Sequence, residues 1–330
     1  METIYLIIPN WFYPWNLGDS VHWTFGPKIL KKEHPNSKLI VIAVDQLHEN
    51  LKNNSHVDEV LYPNQNLIQT YSFWEEQAKN GRKALPKNVY VLFAVHHPKV
   101  WEYWNNNFKF LQNHPTATLL YVNSLLQLGL EKYLYDGTNL YPDILIDKPN
   151  TDSNLLGIVP ATKLSGKPTP HPGCDGIGMR FNGDNGESWK LLSSSIKKFN
   201  NNIRIVEFSK ENYGFGDIHI GHLPWKELAY EAARVKVAIL SDGGMYHIFN
   251  SQDKPIVFLG AQTINKPHHY MHKNTTIYWD LFESCHNRCL PYISTLSSWA
   301  DMAIHCDKSC EKVDPVKLAN YVVRDFFNDK

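Results

Sequence analysis

An excess of charge of either sign is the first thing missing from this sequence. Its 330 residues carry 33 basic and 33 acidic side chains. The broad basic footprint of a nucleic-acid-binding chain is therefore absent from the totals, and no nucleic-acid partner is expected. Long hydrophobic runs are missing too. The longest, LIVIAV and VYVLFAV, fall far short of the roughly 18 residues needed to cross a bilayer, which leaves only peripheral membrane contact open. The first residues, METIYLIIPN, lack the basic region and long apolar core of a signal peptide, so a cytoplasmic protein is expected. Cysteine is scarce: five in all, an odd number that argues against a secreted disulfide framework. There is no G-x-x-x-x-G-K-[ST] phosphate loop, and GFGDIHIG matches a dinucleotide fingerprint only in part.

What is present is an ordinary globular composition, 43% hydrophobic and 20% charged, in a chain long enough for about two domains. Apolar runs alternate with helical segments. Residues 3–9, 38–44, 57–63 and 88–97 read as strands, and 21–35 and 73–83 as helices. This is the pattern of a parallel sheet covered on both faces. It weakens over 136–175, a stretch rich in Pro, Gly, Asp and Asn, where the domain junction is placed. A second series follows. Strands are expected at 176–181, 203–209, 236–241 and 255–261, and helices at 189–199, 223–235 and 314–327, the last capped by Asp314 with Pro315 at its first position. The expected division is 1–160 and 161–330, with the C-terminal helix packing back on the first domain. Two α/β halves of similar size imply a central cleft, and ligands in such sheets bind beyond the carboxyl ends of the strands. The loops 10–20, 96–99, 181–188, 209–222, 241–247 and 260–272 therefore matter most.

Several of these loops carry chemistry. In AILSDGGMYHIFN a strand ends at Ser241, Gly243 and Gly244 follow, and a helix begins near Met245. Glycines let backbone approach a ligand closely, and a helix N-terminus offers free N–H groups and partial positive charge. That suits a phosphate, with His247 as an added donor. The plainer reading is that Asp242 caps the helix and the glycines make a tight turn. The loop GMRFNGDNGES repeats this logic with Arg180 and Asn182. In NLGDSVHWTFG, after the first strand, Asp19 follows Asn16 and Gly18. Two readings compete for it: a cap for the following helix, or a general base facing the cleft. His96 and His97 end the fourth strand, and one of them is expected to face the cleft. The aromatic loop WFYPW, 11–15, offers rings that stack on sugars, enter headgroup regions, or pack in a core. Cys285, Cys289, Cys306 and Cys310 form a C-x3-C…C-x3-C array that fits a structural zinc or iron site, or reduced buried thiols, or disulfides. His268 and His272, four apart, lack the acidic partner of a zinc-protease pattern.

Taken together, these segments resemble glycosyltransferase family 9, the ADP-heptose:lipopolysaccharide heptosyltransferases and their relatives. NLGDSVHWTFGPKILKKEHPNSKLIVIA looks like the family's opening. LPWKELAYEAARVKVAILSDGGMYHIFNSQDKPIVFLGA looks like its most recognisable block, and VDPVKLANYVVRDF like its ending. Residues 50–170 show no specific match. The resemblance implies a glycosyltransferase B architecture, two Rossmann-like domains facing a central cleft. It also implies inverting, metal-independent transfer from a nucleotide-diphosphate sugar to a glycan or lipid-linked glycan acceptor such as lipopolysaccharide. The site of such an enzyme would be the cytoplasm, at the inner membrane surface.

Mapped residue by residue, the resemblance makes Asp19 the base, with Asn16, Gly18, His96 and His97 on the acceptor side. Ser241, Asp242, Gly243, Gly244, Met245 and His247 would hold the donor diphosphate with Arg180 and Asn182, and Trp225 would border the base. No cofactor is implied for catalysis, and the absence of a D-x-D motif agrees. The chain departs from the family where RFNGDNGESW replaces the usual Lys-Arg-Trp-Pro, which removes a lysine from the diphosphate site. Protein heptosyltransferase relatives carry a four-cysteine iron finger, a precedent for the cysteine array but not for its spacing. A nucleotide-sugar 2-epimerase on the same architecture and a non-catalytic carbohydrate-binding protein are the alternative readings.

Overall fold

Two all-parallel sheets organise the chain. The computed structural model describes residues 1–12, 17–80, 85–111, 119–160, 186–240, 243–259, 274–278 and 313–328. The chain divides into two units, and the second begins at Asp147.

The first unit is built on β1 (Thr3–Ile7), β2 (Lys38–Ile42), β3 (Glu59–Leu61) and β4 (Val89–Val91), in the order β3-β2-β1-β4. Between them run α1 (Leu17–His22), α2 (Gly26–Glu33), α3 (Asp45–Leu51) and α4 (Tyr71–Asn80); after β4 come α5 (Val100–Asn106), α6 (Phe108–Leu111) and α7 (Leu119–Leu128). The central strands are apolar without alternation because both faces of a parallel sheet are covered; from Leu39 to Ile42 every residue of β2 is buried. Strand β4 is much shorter than the expected 88–97. Its ladder to β1 covers only Val89–Val91, and from Phe93 onward the chain takes its hydrogen bonds elsewhere.

The second unit holds β5 (Leu155–Ile158), β6 (Arg204–Phe208), β7 (Ile218–Ile220), β8 (Val237–Leu240), β9 (Ile256–Leu259) and β10 (Thr275–Tyr278), in the order β10-β9-β8-β5-β6-β7. Its helices are α8 (Glu187–Phe199), α9 (Trp225–Arg234), α10 (Gly244–Ser251) and α11 (Pro315–Val322). Strand β5 corrects the sequence reading, which took its residues for linker. It is fully buried and pairs with both β6 and β8, so it is central to the second sheet. The two units divide between Ile146 and Asp147, inside the Pro- and Asn-rich stretch. The strand expected at 176–181 lies outside the described residues. Strands β7 and β10 were also not anticipated.

Helix α9 follows the amphipathic rule closely: Trp225, Leu228, Ala229, Ala232 and Ala233 are its buried face. Gly157 in β5 has a packing reason. A Cβ there would stand 3.3 Å from the Phe208 ring and 3.4 Å from the Phe249 ring of α10. Those two rings meet edge to face at 5.2 Å, and this contact seats α10 on the sheet. Asp314 caps α11 as expected, accepting from the Val316 and Lys317 N–H groups at 2.8 and 3.2 Å. The packing of this C-terminal helix within its own unit is well defined. Leu318, Ala319 and Val322, with Val323 and Phe327 beyond, join Trp189, Leu192 and Ile196 of α8 in the core of the second unit. Leu318 and Val322 are wholly buried, worth roughly 1.5–3 kcal/mol each. Among the described residues no helix is long and apolar enough to cross a membrane.

Candidate nucleotide-sugar site

In an open parallel sheet the ligand crevice opens where the strand order reverses, outside the carboxyl ends of the two strands concerned. The first sheet reverses between β1 and β4, and the second between β5 and β8. Asn16, Gly18, Asp19, His96, His97, Arg180, Asn182 and residues 241–247 belong to the segments that follow these four strands, whereas Trp225 follows β7.

In the first unit the chain leaves β1 through a short helical turn, Asn10–Phe12. The buried Asn10 amide donates to the Val44 carbonyl and accepts from the Val44 N–H, both at 2.9 Å, tying this turn to the one after β2. Trp11 and Phe12 turn inward. Trp11 lies edge-on to Trp74 at 6.0 Å, and Phe12 packs on Tyr71 and Phe93. These two aromatics of the 11–15 loop thus belong to the core. Residues 13–16, including Asn16, lie outside the described residues. Gly18 and Asp19 are the second and third residues of α1. Asp19 therefore lies beyond the N-cap position, in the first turn. His22, at the end of α1, is buried, with Nε2 3.0 Å from the Ser124 hydroxyl.

After β4, His96 is exposed, its ring 6.1 Å from that of Trp101. The backbone N–H of His97 donates to Asn123 Oδ1 at 2.7 Å, and its Nδ1 accepts from the Lys99 N–H at 3.3 Å. Desolvation holds the His97 imidazole below its ordinary pKa, against the charge of Glu131, which raises it, and together with that of Lys99. At neutral pH this ring is a neutral hydrogen-bonding group.

In the second unit, Arg180 and Asn182 lie between β5 and α8 in sequence and outside the described residues, as do Ser241 and Asp242. The described part of the β8–α10 turn is informative. Gly243 has φ 154° and ψ 176°, a combination essentially restricted to glycine. As N-cap of α10 it brings no side chain to occupy the first-turn N–H groups. Its carbonyl accepts from the Tyr246 N–H at 3.0 Å. Gly243, Gly244 and Met245 are half-buried, and Tyr246 and His247 are buried. The His247 ring stands edge-on to Tyr246 at 5.5 Å, and the Tyr246 hydroxyl lies 3.2 Å from Thr275 Oγ1. Trp225 begins α9 and is buried.

Three polar side chains are not singled out by the sequence pattern. Glu207, in β6, is fully buried. Its carboxylate accepts from Ser209 Oγ at 2.6 Å and from the N–H groups of Tyr213, Phe215 and Gly216 at 2.8, 2.8 and 3.3 Å. It thereby shapes the loop after β6. The amides of Asn123 and Gln127 on α7 do the same for the segment after β4. A lone acid inside IRIVEFS, and two amides four apart in an apolar helix, were the available signals. Among the described residues no group of three or more His, Cys, Asp or Glu side chains could hold a metal. Cys285, Cys289, Cys306 and Cys310 lie outside those residues, as do His268 and His272.

No protein-family model matches the sequence, and no curated protein matches it. Solved structures do. A glycosyl transferase family 9 protein from Veillonella parvula is 16% identical, with a TM-score of 0.57 over 99% of this chain and 98% of its own. The iron-containing dodecameric glycosyltransferase TibC from enterotoxigenic E. coli is 13% identical, with a TM-score of 0.57 over 98% of this chain and 75% of its own. The same heptosyltransferase in complex with ADP-D-beta-D-heptose aligns with a TM-score of 0.60 at 11% identity, over 98% of this chain and 76% of its own. With two parallel α/β units matching theirs along almost its whole length, the chain has the fold of the glycosyltransferase family 9 structures, the glycosyltransferase B type.

Proposed function

We propose that this protein is a glycosyltransferase that moves a heptose or related sugar from a nucleotide-diphosphate donor to a hydroxyl of a glycan or lipid-linked glycan. The observation that carries this reading is the turn after β8. A backbone conformation reserved for glycine opens the first turn of α10 at the strand-order reversal of the second sheet. Backbone N–H groups at a helix start match the charge and geometry of a diphosphate. The ADP-heptose complex of the TibC structure supports an adenine nucleotide as carrier.

In this reading the second unit binds the donor and the first binds the acceptor. Asp19 takes the proton from the acceptor hydroxyl as its oxygen forms a bond to the anomeric carbon. The bond from that carbon to the diphosphate oxygen breaks on the opposite face, so the anomeric configuration inverts. The negative charge released on the diphosphate is met by N–H groups at Gly243, Gly244 and Met245, with His247, Arg180 and Asn182. The transfer needs no metal ion. A structural zinc or iron at the four cysteines would have no part in it, and metal analysis of the purified protein tests that site. The enzyme would act in the cytoplasm at the inner membrane surface, with lipopolysaccharide as the default acceptor.

A panel of nucleotide sugars screened by thermal shift, followed by product analysis, tests the whole reading. ADP-heptose should raise the melting temperature, and Gly243→Ala should weaken that response about tenfold or more in Kd, because a Cβ is forced into a strained backbone. Asp19→Asn should keep donor affinity and lose transfer by a factor of about 10²–10⁴. Full turnover by Asp19→Asn would remove the base, and indifference to every nucleotide sugar would favour a binding module.

A further inference from the structure

Helix α7 is buried from Tyr121 to Leu128, yet Asn123, Ser124 and Gln127 interrupt its apolar surface. A helix buried all round has no use for polar side chains unless they meet partners. These do, and the partners are the two segments flanking the strand-order reversal of the first sheet.

Beyond Val91 the chain leaves its ladder after one more bond, from the Leu92 N–H to the Ile7 carbonyl at 3.1 Å. The next residues run through the interior; Phe93 is 1% exposed. The Val95 N–H bonds the Phe93 carbonyl at 2.8 Å, but the Phe93 N–H and the Val95 carbonyl need other partners, at a cost of roughly 1–3 kcal/mol each if left orphaned. Gln127 meets them as a neighbouring strand would. Its Oε1 accepts from the Phe93 N–H at 3.0 Å, and its Nε2 donates to the Phe93 and Val95 carbonyls at 3.0 and 2.7 Å. One helical turn earlier, Asn123 Nδ2 donates to the Val95 carbonyl at 3.0 Å, and its Oδ1 accepts from the His97 N–H at 2.7 Å. An amide side chain supplies a donor and an acceptor side by side, as a peptide group does. Ser124, between them in sequence, reaches His22 at the end of the helix that carries Asp19.

We infer that Asn123 and Gln127 are positioning residues for the acceptor. They lock the 93–97 backbone onto α7 and so fix the His96 and His97 imidazoles, while Ser124 refers α1 to the same helix. One rigid element thereby sets the spacing between the Asp19 helix and the histidine segment. This assignment rests on the glycosyltransfer reading and adds to it the side chains that set acceptor affinity.

Asn123→Ala and Gln127→Leu test it, with ADP-heptose as donor and deacylated core oligosaccharide as the acceptor probe. Acceptor KM should rise about tenfold or more, with a smaller fall in kcat. Amide exchange at 93, 95 and 97 should accelerate about tenfold or more relative to β1 and β2, and the His97 imidazole should titrate closer to its ordinary value. Gln127→Glu keeps an acceptor for Phe93 but turns both donations into repulsions and buries a charge, so it should be impaired at least as much as Gln127→Leu. Exchange that rises only in step with β1 and β2, or an unmoved His97 titration, would overturn the assignment. If the unaltered chain turns over no nucleotide sugar, the glycosyltransfer reading falls, while exchange and titration still decide whether the amides hold the histidine segment.

Discussion

Replacing Glu207 gives the sharpest test of how the second unit is held together. This carboxylate is wholly buried and has four donors, two on each oxygen. Glu207→Ala removes all four acceptor positions at once. Each buried donor left unpaired costs roughly 1–3 kcal/mol. The 209–216 loop can open to water, which limits the total to about 3–5 kcal/mol, the range for breaking one side of a buried charged network. Glu207→Gln is nearly isosteric and should not rescue. Whichever way the amide turns, its NH2 faces two donors, so two bonds are lost and two repulsions gained, for about 2–4 kcal/mol. For a unit of this size each kcal/mol lowers the melting temperature by about 2–4 °C. Urea unfolding gives the free energy, and amide exchange at Tyr213, Phe215 and Gly216 locates it. If Glu207→Gln melts within about 2 °C of the parent and those amides keep their protection, the carboxylate does not organise this loop.

Two further outcomes follow from buried polar groups. Lys254 is buried, with its amine bonded to Thr151 Oγ1 at 2.7 Å, and desolvation, aided by the charge of Lys148, lowers its pKa from 10.5 to about 8. The unfolded chain then binds more protons than the folded one between about pH 8 and 10.5, so stability should rise with pH across that window. Lys254→Met should flatten the rise and stabilise the protein at neutral pH, as read by urea midpoints; an unchanged slope would show that the amine does not titrate there. Asn250 on α10 is fully buried with neither amide atom hydrogen-bonded. Asn250→Leu should raise stability by about 1–3 kcal/mol, and a loss instead would mean that the amide is bonded to buried water.

Much of the fold was legible in short stretches. The apolar runs of β1, β2, β6, β8 and β9, the spacing of Trp225, Leu228, Ala229, Ala232 and Ala233, and the Asp314 cap are all local patterns, and local physics settles them. Strand β5 was not legible, because LLGI is only four residues long and is embedded in Pro-, Asn- and Asp-rich chain. The end of β4 was not legible either. VYVLFAV reads as one strand, but whether each residue bonds to β1 or to α7 depends on partners 34 residues away in α7 and farther still in β1.

The candidate site divides in the same way. Glycine at 243 and 244 and acid after glycine at 18 and 19 could be picked out by residue type and spacing alone. Residue type cannot say which loops share a crevice. That came from the strand orders, because a crevice opens at the carboxyl edge where the order reverses, between β1 and β4 and between β5 and β8. The glycine conformation at 243, the lowered pKa of His97 and the amide grip of α7 are likewise products of tertiary contacts. Periodicity is set by neighbours a few residues apart, whereas register, burial and hydrogen-bond partners are set by chain that arrives from elsewhere.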